Sequence, residues 1–372
     1  MKRRSELAII GGGISGCSLA HELDEAGWRV HLVEQHNELA MEASGNPLGV
    51  IMPVMTAEKT KISELSLRAF TYSSQKARQL LGWRPQGVLQ LLHPQAKVSK
   101  FLKGISRDVI PSHFFQKLSS SESSKISNVH LDFESIFYPE AGAFSPRDFC
   151  KALVSSPSII KHLGIKAIHI ERSTHSWMIF DGARNLIVES EYLIVANAYE
   201  AKYFFTDELC MVDRVRGQSC QLRPNEASKA LRTVICSDIY FSPAQDLHSL
   251  GGSYDRLTQE PILKESDNDK LVEKLSEFFV RAKELKVESS RAAFRCTSPD
   301  HLPLVGPSRR HQNLYYFLSM GSRALCYAPY FASKFKDQLC LKRLQEDDRL
   351  TMDWVNPNRF PSNLIQQEAT QV

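Results

Sequence analysis

Apolar and polar positions follow two periods along this chain, and the switches between them mark its elements. Residues 7–10 are a short apolar run, followed by Gly11-Gly12-Gly13-Ile14-Ser15-Gly16 and a helical pattern ending at Gly27, a C-cap residue. Residues 29–33 then read as a second strand, closed by Glu34. Residues 62–81 place Ile62, Leu65, Ala69 and Ala77 on one helical face, and residues 87–92 look like a strand. The polar stretch 118–125 reads as a loop. Pro146, within residues 143–148, sits where proline is tolerated in the first turn of a helix. Residues 167–170 and 177–180 predict strands of a small sheet. Residues 192–198 form a near-continuous apolar run before a polar turn, the pattern of a buried parallel strand that ends at a ligand crevice. Residues 212–254 alternate in strand fashion. Residues 270–285 predict an amphipathic helix with Leu271, Leu275, Phe278 and Ala282 on one face. Residues 314–318 are a last strand, and Gly321-Ser322-Arg323 opens a final helix predicted to reach Leu344.

Dinucleotide-type elements thus occur at the start, middle and end, with sheet-forming segments between them. The predicted fold class is α/β: a Rossmann-like lobe (1–55, 141–205 and 291–345) interleaved with a mixed-sheet substrate lobe (56–140 and 206–290). Residues 346–372 read as a C-terminal tail.

Composition narrows the classes. At 372 residues with 42% hydrophobic and 24% charged positions, the chain has the make-up of a soluble globular protein. No apolar run approaches the roughly 20 residues that span a membrane. A net charge of +4 neither demands nor excludes a polyanionic partner. The eight cysteines show no C-x-x-C spacing, so no metal site and no dithiol motif is signalled, and a reducing cytoplasm is the expected location. Lys2-Arg3-Arg4 before an apolar run resembles the start of a signal peptide. Three consecutive glycines and a pattern continuing to Glu34 argue against export.

The first strand, turn and helix carry the most specific chemistry. The motif G-x-G-x-x-G lies between two strands, and an acid ends the second. In that setting Gly11 allows a tight turn, Gly13 lets backbone approach a pyrophosphate and Gly16 lets helix and strand pack closely. The helix N-terminus, at Ile14 and Ser15, offers N–H groups to phosphate oxygens, and Glu34 stands where a carboxylate accepts hydrogen bonds from a ribose.

Four blocks together resemble the FAD-dependent oxidoreductases of the D-amino-acid oxidase family: the fingerprint, residues 43–50 (ASGNPLGV), residues 294–307 (FRCTSPDHLPLVGP) and residues 320–324 (MGSRA). The second and third blocks are similar to the flavin half of the bifunctional tRNA 5-methylaminomethyl-2-thiouridine biosynthesis proteins. There a methyltransferase domain precedes the flavin domain; this chain starts at the flavin fingerprint, so only the oxidative half of that reaction is expected of it, with a separate methyltransferase as one candidate partner. The resemblance implies FAD as cofactor and tRNA as substrate. It implies oxidation of the carboxymethylaminomethyl arm of a wobble uridine to an imine, which hydrolyses to glyoxylate and an aminomethyl uridine. The alternative is an oxidase of a small free amino acid such as glycine or sarcosine.

The resemblance also assigns residues. Arg295 is the first choice to grip the substrate carboxylate, the other reading being an ion pair with Asp300. Arg323 binds carboxylate or the flavin region, or is a surface arginine. Tyr240 hydrogen-bonds the carboxylate or simply packs in its sheet. Ala43, Ser44, Gly45, Asn46 and Gly49 line the flavin side of the pyrophosphate through backbone N–H groups. Ala167 meets the adenine through its backbone, Ala196 and Asn197 end the middle strand near the pyrophosphate or ribose, and Gly321, Ser322, Arg323 and Ala324 bring the last helix to the flavin. His301 reads as a satisfied structural histidine. Three basic clusters are candidates for tRNA phosphates: Lys97, Lys100, Lys103 and Arg107; Arg309, Arg310 and His311; and Lys334, Lys336, Lys342 and Arg343.

Overall fold

The computed structural model describes residues 5–341 and 344–360; Lys2–Arg4, Lys342 and Arg343 lie outside them. The chain divides into two discontinuous units. Unit 1 comprises Met1–Gly45, Pro146–Arg214 and Arg295–Val372; unit 2 comprises Asn46–Ser145 and Val215–Phe294. The expected crossing points were 55, 140, 205 and 290. By contacts they fall at 45, 145, 214 and 294; the pairing of Gly49–Ile51 with Gly142–Phe144 places both of those segments in unit 2.

Unit 1 is built on a six-stranded sheet in the order Leu304–Pro307, Leu314–Leu318, Tyr192–Val195, Glu6–Ile10, Arg29–Glu34, Ile160–Leu163. All neighbours are parallel except the first pair. The near-continuous apolar runs at 7–10 and 192–195 follow from that position, since central strands of a parallel sheet are buried on both faces. We call Glu6–Ile10 β1, the helix Ile14–Glu25 α1 and Arg29–Glu34 β2. Helix α1 packs against the helix Ala324–Leu339. Glu22 on the first and Lys336 on the second form a buried ion pair at 2.8 Å.

Unit 2 holds an eight-stranded mixed sheet in the order 287–297, 213–222, 248–251, 240–241, 234–236, 88–91, 135–138, 116–118; the ends of its first two strands fall in unit 1. One core packs Leu89, Leu91, Leu222 and Leu250 of this sheet with Leu271, Leu275, Phe278 and Phe279. Each such side chain contributes roughly 1.5–3 kcal/mol by leaving water.

Three expectations need correcting. Residues 118–125 are not a loop: Ser120–Ser127 is a helix. Its capping box pairs Ser119 Oγ with the Glu122 N–H at 3.3 Å and the Glu122 carboxylate with the Ser119 N–H at 2.8 Å. Its inward face is serine, not leucine; Ser123 and Ser127 return their hydroxyl protons to backbone carbonyls at 2.8 Å. The helix expected at 270–285 runs from Glu265 to Ser276, with Glu265 and Asp267 in its first turn. The last helix stops at Leu339, and Glu346–Val355 is a further helix rather than a tail. It is held by a Lys334–Asp348 ion pair at 2.8 Å and by burial of Thr351, Met352 and Val355. A helix at Gln95–Ser106 also went unseen in the sequence. Among the described residues no helix is long and apolar enough to cross a membrane. All eight cysteines are free and seven are buried; burial alone pushes the Cys220 and Cys236 thiols up to about 12.

A small polar relay closes one edge of the unit 1 sheet. His31 Nε2 lies 2.6 Å from Glu6 Oε1, and His31 Nδ1 lies 3.0 Å from His162 Nε2. Burial, together with the neighbouring His31 charge, holds His162 below the ordinary imidazole value. A histidine depressed in this way binds protons more readily when unfolded. Stability therefore falls as pH drops below the unfolded value of about 6.5 and levels off below the folded one. His162→Asn is expected to flatten the dependence of melting temperature on pH between about 7 and 5. Calorimetry of both proteins across that range checks this; identical slopes would remove His162 as the cause.

Candidate functional site

The tight turn between β1 and α1 is made of backbone contacts. Gly11 sits at φ +111°, and a Cβ there would lie 2.7 Å from the Ala196 carbonyl oxygen. Only glycine lets the end of β1 lie that close to the turn after Tyr192–Val195. A Cβ on Gly16 would lie 1.8 Å from the Gly11 carbonyl oxygen, so the first turn of α1 presses directly on the turn that precedes it. Gly13 takes the N-cap position of α1 and supplies no side-chain cap. That leaves the helix start to groups from elsewhere.

One such group is Ser44, which was expected to offer backbone. Its hydroxyl oxygen accepts from the Ile14 N–H at 3.0 Å. Glu34, expected at a ribose, is buried, and its carboxylate accepts from the Gly12 N–H at 2.7 Å and the His36 N–H at 2.9 Å. Each oxygen keeps acceptor capacity beyond that bond. Asn197 follows the middle strand beside Gly11, and its Oδ1 is buried without a hydrogen-bond partner. Such an atom is costly unless something completes it. A dinucleotide fits this set: a helix N-terminus without its own side-chain cap, glycines that bring backbone close, an acid at the end of β2 and an orphaned acceptor next to the turn. Ala43–Gly45 form a short 3-10 turn in unit 1, whereas Asn46 and Gly49 open unit 2. Ala167 is buried in the unit 1 core just before the strand His169–Arg172. Gly321, at φ +57°, with Ser322 and Arg323 forms the 3-10 turn that leads into Ala324–Leu339.

The proposed substrate residues have distinct settings. Arg295 is half-buried near the end of the strand Val287–Thr297. Asp300, its alternative partner, is taken up elsewhere: Arg359 grips it with Nε and Nη2, both at 2.8 Å, and Ser298 Oγ and the Leu302 N–H add bonds at 3.0 and 3.1 Å. Burial raises the Asp300 carboxyl, and the Arg359 fork more than offsets that. Arg323 is half-buried, and its charge opposes the upward push that burial exerts on the Tyr327 phenol. Tyr240 opens the strand Tyr240–Phe241 and donates to the Leu48 carbonyl at 3.4 Å. Its ring lies over Gly251, where a Cβ would come within 2.7–2.8 Å of the ring and hydroxyl. His301, read as a structural histidine, is exposed at a corner with φ +60°.

Members of two basic clusters are engaged within the fold, and Lys342 and Arg343 of one of them lie outside the described residues. Arg309 bonds Asn358 and Phe360 carbonyls at 2.9 and 3.1 Å, and Arg310 pairs with Asp207 at 2.7 Å. Lys334 and Lys336 hold Asp348 and Glu22. The cluster at 97–107 lies on the helix Gln95–Ser106 and its C-cap, with Lys97 paired to Asp238 and Arg107 to Glu58. The sequence missed the buried Arg216, the Arg359–Asp300 fork and the capping role of Ser44. Each depends on a partner tens of residues away, so no local spacing carries a signal for it.

Comparison with known proteins agrees with this geometry. The family described as FAD dependent oxidoreductase matches residues 6–337. The tRNA 5-methylaminomethyl-2-thiouridine biosynthesis bifunctional protein MnmC of Pseudomonas aeruginosa (strain UCBPP-PA14) is 35% identical, covering 96% of this chain and 60% of that protein. Its counterpart in Ectopseudomonas mendocina is 32% identical, over 81% of this chain and 47% of that protein. The chain therefore spans about half the length of these curated relatives. Among solved structures, glycine oxidase from Bacillus cereus superposes with a TM-score of 0.79 at 17% identity, covering 92% of this chain and 99% of that one, a likeness of fold.

The turn makes a direct prediction. Gly16→Ala is expected to push α1 off β1, so that the purified protein loses dinucleotide on gel filtration and melts at lower temperature. Full retention, with an unchanged melting curve, would show that this turn is not the grip.

Proposed function

Since the chain belongs to the FAD-dependent oxidoreductases, we propose that it oxidises the carboxymethylaminomethyl arm of a wobble uridine, a 2-thiouridine included, in tRNA. The observation that carries this reading is the 35% identity to MnmC across 96% of the chain. Gly11, Gly13, Ile14, Ser15 and Gly16 would hold the FAD pyrophosphate through backbone, with Glu34 and Asn197 toward ribose hydroxyls. Bound FAD supplies a two-electron acceptor for the N–CH2 bond.

The chain's own residues bind and orient. Arg295 presents a planar guanidinium that matches a carboxylate with two parallel N–H bonds. Arg323 adds positive charge, and Tyr240 offers a hydroxyl whose bond to Leu48 is long enough to be re-aimed. The amine must be neutral when its C–H bond breaks. Loss of two electrons and two protons from N–CH2 gives the imine, and water adds to it to release glyoxylate and a primary amine. No side chain has to act as base if the hydrogen leaves as hydride, so the exposed His301 takes no part. The primary amine left on the uridine is the group an N-methyltransferase requires, so a methyltransferase is the expected consumer of the product. This chemistry belongs in the cytoplasm, where tRNA is modified.

The test mixes the flavin-loaded protein with tRNA carrying the carboxymethylaminomethyl group. Bleaching of the flavin and release of glyoxylate are expected. Fast turnover of free glycine or sarcosine, with none on tRNA, would promote the small-amino-acid reading. Arg295→Ala should keep its flavin and lose about 2–5 kcal/mol of substrate handling. A substrate arm lacking the carboxylate should lose far less; equal losses on both would make Arg295 structural.

A further inference from the structure

One face of the unit 2 sheet is turned away from the core described above. Leu89, Ile235, Phe241 and Leu250 belong to that core. Side chains alternate along a strand, so the positions next to them, Gln90, Cys236, Tyr240 and Gly251, face the other way. Register sets these four in one row across neighbouring strands. Gln90 stands opposite Cys236, Cys236 opposite Tyr240, and Tyr240 opposite Gly251. The Tyr240 ring over Gly251 agrees with that placement. Gln90 and Tyr240 are long, half-buried side chains, and the short, buried Cys236 lies between them.

Gln90 is oriented by its own sheet. Its Nε2 donates to the Leu91 carbonyl and to the Cys236 carbonyl, both at 3.3 Å. Only the amide nitrogen can face two carbonyl oxygens, so the end of this side chain is not reversible. Both Nε2 protons are engaged, and Oε1 accepts from no group among the described residues. What Gln90 offers above the sheet is therefore an acceptor alone. A ligand that completes it has to bring an N–H or an O–H.

We propose that Gln90 reads the uracil ring of the substrate, its Oε1 accepting the imide N3–H, while the carboxymethylaminomethyl arm runs over Cys236 toward the Tyr240 hydroxyl. The inference rests on the tRNA reading above and adds a specificity determinant to the same site. Unpaired bases are read at their pairing edge, and N3–H is the single donor on that edge of uracil. It is present whether oxygen or sulfur stands at C2. Two strand spacings separate the Gln90 and Tyr240 backbones by about 10 Å. The chain C5–CH2–NH–CH2–CO2− together with the width of the ring covers a comparable length. Cytosine carries an acceptor at N3 and would set two lone pairs against each other, so the same group excludes it. A free amino acid has no ring to place on Gln90. The flavin ring also carries an imide N–H, and the experiment separates the two sources.

The experiment uses the flavin-loaded protein and follows flavin reduction in the absence of oxygen. Three probes are compared. One is an anticodon stem-loop carrying 5-carboxymethylaminomethyluridine, and the second is the same stem-loop methylated at N3 of that uridine. The third is N-benzylglycine, which keeps the arm and replaces the imide by a phenyl ring. Wild type is expected to need about tenfold more of the methylated stem-loop for half-maximal reduction. Gln90→Met should show the same loss, about tenfold, on the unmethylated stem-loop, no further loss on the methylated one and a far smaller change on N-benzylglycine. Its flavin content, flavin spectrum and melting temperature should match wild type. Equal handling of the two stem-loops by wild type would overturn the assignment without any variant. A Gln90→Met loss of equal size on all three probes would overturn it by making Gln90 structural. A shifted flavin spectrum with weakened flavin retention would overturn it by giving Oε1 to the flavin imide. These outcomes leave the tRNA reading intact as long as wild type is reduced by the unmethylated stem-loop. No reduction by either stem-loop, with ready reduction by N-benzylglycine or sarcosine, would overturn both readings.

Discussion

The contact between the Gly16 backbone and the Gly11 carbonyl is the constraint on which unit 1 rests. With 1.8 Å between that oxygen and any added Cβ, α1 can start where it does only because position 16 has no side chain. The start of α1 then sets the rest. Its N–H groups face the turn, Ser44 can reach Ile14, and Glu34 can reach back to Gly12. Its far end brings Glu22 to Lys336. A helix without a cap of its own is stable here because its other face is buried against the helix Ala324–Leu339.

Both units use buried charge to join segments far apart in sequence. Glu22 and Lys336 are more than three hundred positions apart. Arg216 gathers a strand, a loop and a helix start in unit 2. A buried pair of this kind adds little net stability over apolar packing, but breaking it leaves an uncompensated charge. Its effect is to reject wrong registers between discontinuous segments, which suits a chain whose two units each return to the sheet after long excursions.

The same accounting changes how basic residues are read. A sequence with +4 net charge offers several runs of lysine and arginine, and each looks like a phosphate track. Arg309 and Arg310 are spent on Asn358, Phe360 and Asp207, and Lys334 and Lys336 on carboxylates. The cluster at 97–107 lies on a helix that was not evident from its own periodicity. Its cations lie on one side while its Gly104 packs tightly against Met55 and Thr56.

The N-terminal strand, turn, helix and strand were legible in the sequence because their information is local: two apolar runs, glycines at fixed offsets and an acid at the end of the second run. The same holds for the strands at 192–195 and 314–318 and for the α/β class, since a strand buried on both faces has to be apolar throughout. The FAD assignment followed from motif blocks that keep their order along the chain. What the sequence left open had its partner elsewhere. The Ser120–Ser127 helix buries hydroxyls that are satisfied only by the fold, so polarity pointed to a loop. Residues 346–355 form a helix on unit 1, where Thr351, Met352 and Val355 are buried and Asp348 meets Lys334. Asp300 belongs to Arg359 rather than Arg295, Ser44 acts through its side chain, and Asn197 is left with a buried acceptor to satisfy. Periodicity and turn chemistry act over a few residues and can be read along a line; burial and charge pairing act through space, and only the folded chain decides them.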